Sequence, residues 1–99
     1  MIDLISKIYI DLNELVISKV PHDKEIFSTR IIKEHTKICE YCFNIKSSNK
    51  DKNYMLEFKV SIKYILFILN YFISKKIINN DVYKIIEKEY KDLYYIINP

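Results

Sequence analysis

Apolar positions recur every three or four residues along the chain, and short polar breaks divide this pattern into four segments. The spacing predicts amphipathic helices at about residues 2–19, 23–46, 53–78 and 81–97. Short connections between long helices favour antiparallel neighbours. The pattern therefore predicts an all-α fold, with residues 1–99 forming one antiparallel, up-down-up-down four-helix bundle.

The predicted inward face of each helix follows the same period. Its positions are Ile5, Ile8, Leu12, Leu15 and Val16 in the first helix, Phe27, Ile31, Ile38, Cys42 and Ile45 in the second, Met55, Phe58, Ile62, Ile65, Leu69 and Phe72 in the third, and Val82, Ile86, Tyr90, Leu93 and Ile97 in the fourth. Pro21 ends the first helix because proline disfavours helical geometry in the residue before it. The predicted N-caps are Asp23, Asn53 and either Asn80 or Asp81.

The third helix carries more apolar surface than one stripe requires. From Tyr64 to Phe72 almost every face is apolar, and a helix of this kind needs cover on all sides. This excess predicts burial against another subunit, through an oligomer interface at Tyr64, Phe67, Ile68 and Tyr71. Ile62 and Leu69 are assigned instead to the core within one chain.

Composition and charge narrow the function classes. Glycine is absent, which agrees with an all-α fold, and the formal net charge is +3. Residues 47–78 hold six lysines and two acids, so the positive charge is concentrated there. Clustered lysines can neutralise phosphates, which predicts nucleic-acid contacts that depend little on sequence. The predicted contact residues are Lys46, Lys50, Lys52, Lys59 and Lys63. A solvated helix face is the alternative interpretation of the same lysines.

The candidates for chemistry are few. His35, Cys39 and Cys42 share one helix face, but a closed zinc site needs a fourth ligand and buried thiols often serve as core residues. No phosphate-binding glycine loop or nucleophile–base arrangement is present, so we predict no enzyme activity, no metal, no cofactor and no small-molecule substrate. The absence of a secretory signal and of an apolar run of membrane length predicts a cytoplasmic protein without membrane contact.

Several landmarks resemble a known family. SKVPHDKE at residues 18–25 leads into FSTRI at 27–31, the polar SSNKDK follows, and KIINNDVYKII at 76–86 marks the turn into the last helix. In this order they resemble the four-helix-bundle family of accessory variability proteins of diversity-generating retroelements. Its sister group is the proteins encoded by intervening sequences in 23S ribosomal RNA genes. The resemblance covers nearly the whole chain and is most specific at Pro21, Arg30 and the turn at residues 78–83.

The resemblance implies a homopentameric ring and a basic accessory protein that cooperates with a reverse transcriptase and its template RNA. The chain departs from accessory members at its C-terminal YYIINP and in holding a single arginine, Arg30. Two function classes therefore follow. One is a non-enzymatic accessory protein that scaffolds a reverse transcriptase and RNA through a basic oligomeric surface. The alternative is a structural or protein-interaction bundle that binds no nucleic acid.

Overall fold

The computed structural model describes residues 1–44 and 52–98, with residues 52–54 described by their backbone alone. These ranges hold helices and no strand. The helices are α1 (Ile2–Lys19), α2 (Glu25–Asn44), α3 (Lys52–Ser74) and α4 (Asn80–Ile97), and a short 3-10 helix (His22–Lys24) precedes α2. The all-α prediction is confirmed. Some predicted positions lie outside the described residues: the nucleic-acid contacts Lys46 and Lys50, the core position Ile45, and most of the connection after α2.

Each helix packs against two neighbours, in the cyclic order α1–α2–α3–α4–α1. Side-chain contacts show that neighbours run antiparallel. Tyr41 late in α2 hydrogen-bonds Glu57 early in α3, and Lys59 early in α3 contacts Tyr94 late in α4. Lys7 on α1 reaches Glu89 in the middle of α4. The molecule measures 41 × 22 × 20 Å, as expected for a bundle of helices 18–23 residues long.

The core follows the predicted stripes closely. Ile5, Ile8, Leu12 and Leu15 of α1 are all buried, as three- and four-residue spacing requires. The remaining buried apolar side chains are Ile31, Ile38 and Cys42 of α2, Phe58, Ile65, Ile68, Leu69 and Phe72 of α3, Ile78 before α4, and Ile86, Tyr90, Leu93 and Ile97 of α4.

A polar network lies inside this core. The Tyr90 hydroxyl is 2.7 Å from Nδ1 of His35, and Nε2 of His35 is 3.2 Å from the Ile5 carbonyl oxygen. A carbonyl can only accept, so Nε2 carries the proton and Nδ1 accepts from Tyr90. The network links α1, α2 and α4. Burial lowers the pKa of His35, which keeps the imidazole neutral.

The ends of two predicted helices require correction. α3 stops at Ser74 instead of residue 78, because Lys76 adopts a left-handed φ of 60°. The Ile77 amide then donates to the Phe72 carbonyl and the Lys76 amide to the Ile73 carbonyl, a Schellman end without glycine. The cap of α4 is Asn79, neither Asn80 nor Asp81. Its side chain accepts from the Val82 amide at 3.0 Å.

Three smaller differences concern predicted caps and core positions. Asp23 lies in the 3-10 helix, so α2 begins at Glu25, and Asn53 lies within α3, which begins at Lys52. Leu69 is fully buried as predicted, whereas Ile62 is only partly buried. Ile62 faces the boundary with α4, about 60° around the helix from the centre of the buried stripe, given 100° per residue. Within the described residues, no helix is long and apolar enough to cross a membrane.

Candidate nucleic-acid interface

A groove runs along the surface between α3 and α4, and we call it the α3–α4 groove. Its volume is about 220 Å³. Its lining is mainly apolar and aromatic, with three lysines among nine residues. The lining consists of Lys59, Ile62, Lys63 and Leu66 from α3 and Glu87, Tyr90, Lys91, Tyr94 and Tyr95 from α4.

Antiparallel pairing sets the order of these side chains along the groove. The Lys59 ammonium lies 5.2 Å from the centre of the Tyr94 ring, and Asn70 hydrogen-bonds the Tyr83 hydroxyl further along. Between these two contacts, Lys63 comes level with Lys91. The groove therefore has an aromatic end at Tyr94, a basic middle, and an acidic end.

The acidic end is already neutralised. The Glu87 carboxylate accepts from the Tyr83 hydroxyl at 3.2 Å and lies 3.9 Å from the Lys91 ammonium. Lys59 and Lys63, by contrast, form no ion pair with any residue in the described ranges 1–44 and 52–98. Both are exposed, and together they give the groove an uncompensated positive charge.

Tyr94 is fixed at the aromatic end. Its ring lies 6.4 Å from that of Phe58 at an angle of 26°, and Asn98 donates to its hydroxyl at 3.1 Å. Contact with Lys59, followed by the Asn98 hydrogen bond, lowers the pKa of Tyr94. Tyr95 follows on the outer side of α4, with its ring 6.0 Å from that of Tyr94 and 66% of its surface exposed.

The predicted nucleic-acid residues divide into two groups. Lys59 and Lys63 lie together in the groove, one turn apart on α3. The side chain of Lys52 lies outside the described residues, as do Lys46 and Lys50 entirely. Lys91 and Tyr95 were missed because only the pairing of α3 with α4 brings them to these lysines. The spacing of apolar residues gave no signal for Tyr95, because it lies about 170° around α4 from the centre of the inward stripe, given 100° per residue.

A second groove flanks α3 on its other side, and we call it the α2–α3 groove. It too holds cations and tyrosines, but its charges are paired. The Glu34 carboxylate lies 3.3 Å from Nε of Arg30 and 3.5 Å from the Lys37 ammonium, and its side chain is only 6% exposed. The Arg30 guanidinium also lies 4.8 Å from the centre of the Tyr64 ring.

Four exposed apolar side chains of α3 point outward, and we call them the outer stripe: Leu56, Val60, Tyr64 and Phe67. The first three also form the α3 wall of the α2–α3 groove. Their spacing of four, four and three residues places them on one helix face. Phe67 is 71% exposed. The outer stripe contains the predicted interface residues Tyr64 and Phe67, and Leu56 and Val60 were not predicted.

The other two predicted interface residues are placed differently. Ile68 is buried in the chain's own core, which corrects its assignment, because it lies one turn from both Ile65 and Phe72 on the inward stripe. Tyr71 is half-buried, with its ring 4.9 Å from that of Phe27. Tyr71 therefore borders the exposed face but is held mainly by α2.

The cysteines and His35 are engaged in the core. Burial raises the pKa of Cys42 to about 12 and also raises that of Cys39, so both stay as thiols, which are poor nucleophiles and poor ligands. Both ring nitrogens of His35 are hydrogen-bonded to Tyr90 and Ile5. Among residues 1–44 and 52–98, no three His, Cys, Asp or Glu side chains are placed to hold a metal ion.

Comparison of the chain with protein-family models, with curated proteins and with solved structures gave no match.

Proposed function

We propose that this chain is a non-enzymatic accessory protein that binds RNA through the α3–α4 groove. The observation that carries the proposal is the pair of lysines, Lys59 and Lys63, which line a groove with aromatic walls and have no acidic partner in the part of the chain that the structure describes. Lysine–phosphate contacts release counterions and supply affinity that is largely independent of sequence. Aromatic rings beside such lysines are the usual lining of sites for single strands.

The proposal extends to assembly. The outer stripe leaves four large apolar side chains in contact with water, and apolar surface of this kind on a helix marks an interface. A homo-oligomer that covers the outer stripe would also multiply the basic groove by the number of subunits. The resemblance to retroelement accessory proteins supports a pentameric ring and a reverse transcriptase as the partner that shares the RNA.

The test is RNA binding across a salt series, measured by fluorescence anisotropy of a labelled single-stranded oligonucleotide. Lys59→Gln/Lys63→Gln removes both unpaired charges. The double variant should bind more weakly, and the slope of log affinity against log salt should become shallower by about 1.4, for two single-strand phosphate contacts. Circular dichroism checks that the variant is folded.

The matched control is Lys19→Gln/Lys33→Gln, which removes the same charge from exposed positions on α1 and α2. It should keep the wild-type slope. Equal weakening by both double variants would show that net charge alone attracts the RNA. Absence of binding by the wild-type protein at low salt would refute the proposal.

The outer stripe favours the second candidate function, a protein-interaction bundle without affinity for RNA. Light scattering distinguishes the assembly question from the RNA question. We expect a particle of several subunits for wild type and a smaller one for Val60→Lys/Phe67→Lys, because charge on the outer stripe opposes its burial. A wild-type particle of one 12.0 kDa chain would contradict the proposed assembly.

A further inference from the structure

We infer that the aromatic end of the α3–α4 groove binds an unpaired base, stacked on Tyr95, so that the groove selects single-stranded over duplex RNA. This inference rests on the proposed function and makes it more specific. The proposed function requires only that phosphates meet lysines. The further claim is that an unpaired base stacks on the ring of Tyr95.

Tyr94 and Tyr95 have different roles in this arrangement. Tyr94 is packed between Phe58 and the Lys59 ammonium, so its ring is already covered. Tyr95 is 66% exposed, and its ring is inclined at 69° to that of Tyr94. Tyr95 therefore offers a free face at a position that the packed ring of Tyr94 helps to define.

Charge and aromatic surface coincide at this end of the groove. Lys59 contacts Tyr94 directly, and Lys63 and Lys91 follow about one turn further along α3 and α4. Glu87, the one acid in the groove lining, is two turns from Tyr95, at about 12 Å along the helix axis, and is paired with Tyr83 and Lys91. Asp92, one turn from Tyr95, is paired with Lys88 at 3.0 Å. A strand with its base on Tyr95 can thus place its phosphates on lysines without meeting a free carboxylate.

The groove is too small to enclose a whole ligand, and a base on the exposed ring of Tyr95 would stack at its outer edge. Its volume of about 220 Å³ is below the roughly 300–1,000 Å³ of small-molecule pockets. A base can enter only when it is unpaired and unstacked, because the bases of an RNA duplex are enclosed in the helix. Duplex RNA would contact only the lysines of the groove, with no base stacked on Tyr95.

The experiment compares three RNA probes of about twelve nucleotides, a length within known single-strand site sizes: oligouridine, an abasic ribose-phosphate strand and a duplex. Anisotropy titrations use the wild type, Tyr95→Ala and Tyr95→Phe. Tyr95→Ala should weaken oligouridine binding by about 5- to 150-fold, the range for loss of one stacked base. Its binding to the abasic strand and the duplex should not change, and Tyr95→Phe should retain the wild-type affinity.

The matched control is Tyr9→Ala, which removes an exposed tyrosine from α1, outside the groove. It should leave all three affinities unchanged. If Tyr95→Ala binds oligouridine as wild type does, while Lys59→Gln/Lys63→Gln weakens it, the stacking inference is wrong and the proposed function stands. If the wild type binds none of the three probes at low salt, both fail.

Discussion

The two grooves beside α3 hold similar residues and differ in how their charges are compensated. In the α2–α3 groove, Arg30 and Lys37 share the nearly buried carboxylate of Glu34. In the α3–α4 groove, Lys59 and Lys63 have no acidic partner among the described residues. The number of cations on a surface therefore does not identify a binding site for anions. The position of the acids decides which cations remain available to phosphate.

The same comparison separates structural from functional use of aromatic rings. Tyr64 carries the Arg30 guanidinium on its face, so charge and ring are combined within the fold. Tyr95 is 66% exposed and lines the same groove as Lys59 and Lys63, which form no ion pair within the described residues. This difference supports the proposed role of the α3–α4 groove in binding RNA and a structural role for the α2–α3 groove.

The largest expected effect comes from a charge placed in the core beneath both grooves, compared with the same charge placed in the wall of the α3–α4 groove. Leu69→Asp places a charge at a fully buried site, and its desolvation should cost several kcal/mol of a total stability of about 5–15 kcal/mol. The domain should unfold. Ile62→Asp lies at the groove wall, where the carboxylate reaches water, so this variant should stay folded and bind RNA more weakly. Thermal melts followed by circular dichroism compare the two, and equal unfolding would place Ile62 in the core.

The next prediction compares the loss of one glutamate carboxylate in each groove. Glu34→Gln removes the carboxylate shared by Arg30 and Lys37, and should lower the free energy of unfolding by about 1–3 kcal/mol. It should also raise RNA affinity, since two cations are released. Glu87→Gln, the matched change in the other groove, should cost less than about 1 kcal/mol because the ion pair with Lys91 is long, at 3.9 Å, and the lysine is exposed. Urea unfolding measures both, and a larger loss from Glu87→Gln would reverse the assignment of the grooves.

The helices could be predicted from the sequence, and the groove could not. The stripe of Ile5, Ile8, Leu12 and Leu15 is a local property of one helix, visible as three- and four-residue spacing. The contact between Lys59 and Tyr94 depends on which face of α4 packs beside α3. The spacing of apolar residues does not predict which face that is. Lysines and tyrosines beside an inward stripe indicate only that they lie near some neighbour.

Local chemistry also limited the prediction of helix ends. Because the chain has no glycine, no residue type in the sequence marks the C-terminus of α3. Lys76 adopts the left-handed backbone conformation that glycine usually provides at a helix end. Asn79, Asn80 and Asp81 are all good N-cap residues, and only the structure selects Asn79. Ile68 was assigned to an interface because the apolar run is continuous there, although its spacing from Ile65 and Phe72 already indicated the core.

A smaller effect follows from pH and concerns the core that both grooves share. The folded state lowers the pKa of His35, so the unfolded chain binds the proton more readily. Titration of His35 should not lower the free energy of unfolding above the pKa of histidine in the unfolded chain, which is about 6.5. Below that pH the free energy of unfolding should decrease as the pH falls, by at most about 1.4 kcal/mol per pH unit. Urea unfolding between about pH 7.5 and 5.5 measures this slope.

The control for this pH dependence is His35→Gln, which should remove the decline. Glu89 acts in the opposite direction, because burial raises its pKa and acid then favours the folded state. The difference between wild type and His35→Gln therefore isolates the histidine. An identical pH profile for the two proteins would exclude His35 as the titrating group.

The smallest expected effect reports on the aromatic end of the α3–α4 groove. Because Lys59 contacts Tyr94, the pKa of Tyr94 is lowered, and one tyrosine should ionise earlier than its ordinary value in an ultraviolet titration. Tyr94→Phe should remove this early step. Lys59→Gln should move it to higher pH without removing it. An early step that survives in Tyr94→Phe would assign it to another tyrosine.

The most direct test of the account maps bound RNA on the unaltered protein. Exposed lysines are acetylated with and without single-stranded RNA, and the modified sites are quantified by mass spectrometry. We predict that RNA protects Lys59 and Lys63 of the α3–α4 groove and leaves Lys37 of the α2–α3 groove, which is paired with Glu34, as reactive as before. Protection of Lys37 to the same degree, or unchanged reactivity of Lys59 and Lys63 when RNA is bound, would contradict the proposed role of the groove.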